Sequence, residues 1–178
     1  MTLQEQGEQL LERLDLVAKL SQFGEAHVVG NIAFETTTKP DIDIQIYCDL
    51  HYEDAAKTII ETLGNLGFSD FKERRLKKSK KYLILANFTD NDVVWTLDLT
   101  LTQPDISYLK DSYKFYTDYY PKINETKRDI IIKLKQAFSN TKLMGDNTAF
   151  YIYKGVLDEN ISTAEEMTQY FEKTRSKK

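Results

Sequence analysis

Apolar residues first recur at helical intervals. Leu10, Leu14 and Val17, flanked by Leu11 and Ala18, are spaced three to four apart among polar residues, which predicts one amphipathic helix ending before Gly24. AHVVGNIAF then has the pattern of a short strand running into a Gly-Asn turn. In DIDIQIYC the period falls to two. Ile42, Ile44, Ile46 and Cys48 alternate with Asp41, Asp43, Gln45 and Tyr47, as in a strand with one apolar face. YEDAAKTIIETLGNLGF returns to helical spacing, with Ala55, Ile59, Leu63 and Leu66 on one stripe and Gly67 placed as a C-terminal cap. KYLILANF and VVWTLDLTLT predict a hairpin around Thr89-Asp90-Asn91-Asp92, and FKERRLKK adds a strand before it. In the last strand Val93, Trp95, Leu97, Leu99 and Leu101 share one face, opposite Val94, Thr96, Asp98 and Thr100. Past Pro104 the chain is tyrosine-rich with helical spacing, punctuated by Pro121 and Gly145, and predicts three or four helices. The expected fold class is α+β: a small mixed sheet with flanking helices over residues 1–103, then a helical region over 104–178.

Composition narrows the picture. With 41% hydrophobic and 29% charged residues, the chain has the make-up of a globular protein rather than a disordered one. A single cysteine, Cys48, excludes an internal disulfide, and together with two histidines it supplies too few ligands for a structural zinc site. A reducing, cytoplasmic location is expected. The start, MTLQEQGEQLLERLD, lacks the basic and apolar segments of a secretory signal, and no apolar run approaches membrane-spanning length, so no membrane association is expected. A net charge of −4 with pI near 5.3 argues against wholesale coating of nucleic acid but says nothing about a local basic patch, and with no dedicated binding stripe beyond one basic hairpin nucleic acid is an unlikely partner. The run KERRLKKSKK at 72–81 carries seven basic residues. It is read first as a solvated face and second as a phosphate contact near the acids. Tyr108, Tyr113, Tyr116, Tyr119 and Tyr120 are assigned to helix packing, His27 to strand structure, His51 to a loop, Cys48 to the core, and the tail KTRSKK to a frayed end.

The carboxylates carry the candidate chemistry. Residues i and i+2 of a strand point the same way, so Asp41 and Asp43 stand together, and Asp98 joins them if the two strands are neighbours. Clustered acids repel and raise one another's pKa. A divalent cation removes that cost, and all-oxygen ligation suits Mg²⁺.

Gly30-Asn31, nine intervening residues, Asp41-Ile42-Asp43-Ile44 and, later, Leu97-Asp98-Leu99 resemble the signature of the nucleotidyltransferase superfamily related to DNA polymerase β. That family has Gly-Ser, a spacer, two acids alternating with apolar residues, and a third acid on a separate strand. The resemblance covers residues 1–103. It implies a Mg²⁺-dependent nucleotidyltransferase that moves a nucleoside monophosphate from an NTP to a hydroxyl of a small molecule or protein, by in-line displacement at two metal ions. It assigns Asp41 and Asp43 as bridging metal ligands and Asp98 as the nucleophile-side ligand and base. Gly30, Asn31 and Lys39 are placed at the nucleotide phosphates. Two departures stand out: Asn31 replaces the usual serine, and the spacer has Phe34-Glu35 and three threonines where a further glycine is common. Lys39-Pro40 is similar to the GrpB-like branch, which often lacks one of the acids present here. The departures leave an alternative, a catalytically inactive nucleotide-binding or protein-interaction module of the same fold.

Overall fold

A computed structural model describes residues 1–48, 52–77, 80–141 and 143–176. The chain divides into two compact units, Met1–Tyr116 and Thr117–Lys178.

The first unit begins with two helices where the sequence predicted one. Helix α1 spans Leu3–Arg13 and α2 spans Leu16–Leu20, separated by Asp15 in the left-handed region at φ 49°. The break has a packing reason. Leu10, Leu16 and Leu20 are all buried, and residues six apart cannot share one stripe of a straight helix. A capping box fixes the start of α1: Thr2 accepts from the Glu5 backbone N–H, and Glu5 accepts from that of Thr2.

Strand β1 (Glu25–Val29) is followed by a single helical turn, α3 (Gly30–Ala33), then β2 (Asp41–Tyr47) and helix α4 (Tyr52–Asn65). Strands β3 (Ser69–Leu76), β4 (Lys81–Asp90) and β5 (Val93–Thr102) complete a five-stranded sheet in the order β1-β2-β5-β4-β3. It is mixed, because β2 and β5 run parallel while every other pairing is antiparallel. Asn91 and Asp92, at φ 45° and 64°, make the β4–β5 connection a two-residue turn with both residues left-handed. Such turns match the twist of the paired strands.

The alternation seen in the sequence sorts the sheet into two faces. Ile42, Ile44 and Ile46 of β2, Leu97, Leu99 and Leu101 of β5, and Ile84 and Ala86 of β4 form one core with Leu10, Leu16, Leu20, Ala56, Ile59 and Leu63 of the helices. Each fully buried leucine or isoleucine contributes about 1.5–3 kcal/mol. The opposite face carries the polar members of β2 and β5. Helix α5 (Ser112–Tyr119) spans the division between the units.

The second unit contains α6 (Glu125–Ala137), α7 (Thr148–Asp158) and α8 (Ala164–Arg175). Ile131, Leu134, Ile152, Val156, Met167 and Phe171 are buried within it. Asn124 caps α6, and a Thr163–Glu166 capping box starts α8. Asp158 accepts from the Tyr119 hydroxyl at 2.6 Å and pairs with Lys122 and Lys154. Among the described residues no helix is long and apolar enough to cross a membrane.

Candidate active site

Strand pairing brings the predicted acids together. Asp43 of β2 lies directly opposite Asp98 of β5, and Asp41 lies opposite Thr96. In a parallel pair, partners in register project to the same side, so all three carboxylates stand on the face away from the core.

The Gly-Asn turn closes onto this face. Val29 pairs with Asp43 at the end of β1, and Gly30 follows at φ +64°. A Cβ at Gly30 would lie 2.1 Å from Asp43 Oδ2, so both the backbone conformation and the space demand glycine. The Asn31 backbone N–H donates to the Asp43 carboxylate. Its side-chain Nδ2 donates to Asp41 Oδ1 and Oδ2 at 3.0 and 3.1 Å. On the other side, Lys39 Nζ is 2.9 Å from Asp41 Oδ2. Asn31 and Lys39 therefore both engage an acid of the cluster.

Burial and mutual repulsion dominate the electrostatics. Desolvation, with Asp41 and Asp98 as negative neighbours, pushes the Asp43 carboxyl up to about 7. Asp98 is also raised, mainly by desolvation, against the pull of Lys39 and Lys81. For Lys39 burial opposes the charge, but attraction to Asp41, Asp43 and Asp98 outweighs it and raises its pKa. A cation thus already sits among the acids. An all-oxygen donor set of this kind suits a hard divalent ion. As the side chains stand, no three His, Cys, Asp or Glu among the described residues are grouped to hold a metal, and Asp41 is turned toward Asn31 and Lys39.

A second polar group on the same face escaped the sequence reading. Gln45, two residues past Asp43, is fully buried, and its Nε2 donates to Asp111 Oδ1 at 2.9 Å. Asp111 also accepts from the Tyr47 hydroxyl at 2.7 Å and from the backbone N–H groups of Asp105 and Lys114. Gln45 Oε1 accepts from Ser112 N–H at 2.8 Å. The network pins the start of α5 to the acid-bearing strand. Although burial opposes it, these hydrogen bonds hold the Asp111 carboxyl below the usual range. Lys81 was grouped with a solvated basic run, but its ammonium is partly desolvated, which lowers its pKa against the attraction of Asp111, Asp98 and Asp105. The available sequence signals were Gln45 on the aspartate side of the alternation and Asp111 three residues before a helical N–H.

His27 stacks on the Tyr113 ring with centroids 3.4 Å apart, and Cys48 is buried. Tyr116 packs edge-on against Phe34, and Tyr108 against Phe115. His51, Lys78 and Ser79 of the basic run, and the last two residues of the tail lie outside the described residues.

No protein-family model and no curated protein matches the chain. Solved structures do. The chain superposes on the Cid1 poly(U) polymerase with Mg and 3'-dATP bound (TM-score 0.55, 14% identity, 78% of this chain and 43% of that one). A second Cid1 structure, described for its RNA terminal uridylyl transferase activity, gives TM-score 0.53 at 15% identity, with 78% and 43% covered. The GLD-2–GLD-3 non-canonical poly(A) polymerase complex gives TM-score 0.54 at 16% identity, with 86% and 56% covered. The chain thus shares the fold of these structures, and spans 43–56% of the length of these chains. The comparisons overturn one expectation. Net negative charge had disfavoured nucleic acid as a partner, yet this fold is shared with polymerases and an RNA terminal transferase. Net charge is a sum over the whole chain, whereas nucleic acid meets only a local surface, so the expectation hung on how much one basic hairpin could do.

Proposed function

We propose that this protein is a Mg²⁺-dependent nucleotidyltransferase that adds a nucleoside monophosphate from an NTP to the 3'-hydroxyl of RNA. The observation that carries this reading is the Asp43–Asp98 pairing on the non-core face, with Asp41 beside it and the Gly30-Asn31 turn closed onto Asp43. The fold shared with RNA-directed enzymes supports the acceptor class. Asp41, Asp43 and Asp98 would hold two Mg²⁺ ions, which supply charge neutralisation at the α-phosphorus and lower the pKa of the attacking hydroxyl. The hydroxyl oxygen would form a bond to the α-phosphorus as the bond to pyrophosphate breaks, and Asp98 would take the hydroxyl proton. Lys39, 2.9 Å from Asp41 Oδ2, would be free to contact the phosphates if a divalent ion took over the neutralisation of Asp41.

The test is incubation with each NTP, Mg²⁺ and a labelled single-stranded RNA, read as 3' extension on a gel. Asp98→Ala should lower the rate about 10²–10⁴-fold. Asp41→Ala and Asp43→Ala should abolish extension. No extension by the wild-type chain with any NTP, together with retained nucleotide binding, would favour the second reading, an inactive nucleotide-binding module. The engagement of Asp41 by Asn31 and Lys39 is the observation on its side.

A further inference from the structure

The acid face continues across the sheet. Asp98 pairs with Leu85 of β4, and Leu85 pairs with Lys72 of β3. Two residues further along, Thr100 faces Leu83, which faces Arg74. Directly opposed residues share a side, so Lys72 and Arg74 stand on the same face as the acids, about 10 Å from Asp98 at two inter-strand spacings. Both are exposed, whereas Leu83 and Leu85 between them and β5 are only partly buried. The alternating positions Glu73 and Arg75 point away: Glu73 accepts from the hydroxyl of Tyr82, and Arg75 is opposite Tyr82. The face thus runs from carboxylates, over an apolar floor, to a basic edge.

We infer that this β4–β3 surface is the acceptor track, on which single-stranded RNA lies with its 3' end at Asp98, its terminal bases or riboses over Leu83 and Leu85, and its backbone phosphates on Lys72 and Arg74. Charge complementarity selects the occupant. A triphosphate would be drawn to the Gly30-Asn31 side of the acids, across the sheet from β3, so the basic edge is left for a longer anion that passes Asp98. Single-strand binding combines cations that follow the backbone with apolar or aromatic surface under the bases, the pairing found here.

The inference rests on the proposed RNA-directed activity, and the experiment separates the two. Binding of a fluorescent 15-nucleotide RNA is measured by anisotropy over a range of salt, alongside KM for RNA and for NTP in the extension assay. Lys72→Ala/Arg74→Ala should weaken RNA binding at least ~10-fold at low salt and reduce the salt slope by about 1.4, at 0.7 per phosphate contact for a single strand. KM for RNA should rise while KM for NTP is unchanged. Arg75→Ala removes one positive charge from the opposite face and should leave both nearly unchanged. If the double variant keeps wild-type RNA affinity and salt slope, or if Arg75→Ala weakens binding as much per charge, the track is refuted. Should the wild type bind RNA without extending it, the catalytic reading fails while the anisotropy series still decides the track.

Discussion

Replacing Asp43 by asparagine should make the metal-free protein more stable while destroying its activity. The carboxyl is pushed from its ordinary 3.8 up to about 7 by desolvation and by Asp41 and Asp98. At 1.36 kcal/mol per pH unit that window amounts to about 4 kcal/mol of native-state cost once Asp43 is ionised, and its partial exposure to solvent reduces this to about 2–3 kcal/mol. The sign follows from proton binding. Below 3.8 the group is protonated folded and unfolded, and it costs nothing. Between 3.8 and about 7 the folded protein keeps a proton that the unfolded chain has lost, so native stability falls as pH rises; above about 7 the full cost remains. Asparagine keeps an acceptor for the Asn31 N–H and carries no charge. The stability gap between Asp43→Asn and wild type should therefore open from near zero at pH 4 to about 2–3 kcal/mol at pH 8. Trp95, the only tryptophan and 1% exposed, reports unfolding in urea by fluorescence, with chelator present. Adding Mg²⁺ at pH 8 should stabilise the wild type and leave the variant unmoved. A gap independent of pH, or a variant less stable at pH 8, would refute the electrostatic account of the site.

Two further perturbations test its neighbours. Lys39→Met removes the ammonium at 2.9 Å from Asp41, so Mg²⁺ binding without nucleotide, followed by titration calorimetry, should tighten about 3–10-fold while NTP binding weakens; weaker metal binding would show that Lys39 does not compete with the ion. Asp111→Ala strands the Tyr47 hydroxyl, Gln45 Nε2 and two backbone donors, and should cost about 2–4 kcal/mol in urea unfolding at neutral pH. Because the Asp111 carboxyl is held below 3.8, its contribution is fully present above that pH and lost on further acidification, so the deficit should shrink in strong acid.

What the sequence disclosed was local. Strict alternation in DIDIQIYC put both aspartates on one side, and the spacing of Gly30-Asn31 from them proved to be a tight turn packed on Asp43. The split between α1 and α2 was hidden because a left-handed aspartate leaves no strong mark among polar residues, and Leu16 and Leu20 reveal it only through their burial. Asp111 was invisible for another reason. Its partners Gln45 and Tyr47 lie 66 and 64 residues away, and only the folded chain brings a helix start against β2.

The basic run could not be divided between faces without register. Seven positive charges in ten residues suggest a solvated hairpin when counted as a block, but a strand divides its residues between two faces. Within β3, alternation alone separates Lys72 and Arg74 from Glu73 and Arg75; which pair shares the acids' side depends on the ladder Asp98–Leu85–Lys72, two strand pairings away from any local signal. A one-residue slip of β3 would send Lys72 and Arg74 to the helix-covered side and leave Glu73 and Arg75 facing the acids. Which basic residues share the acids' face is thus set by the pairing of an edge strand, and the whole-chain charge of −4 carries no information about it.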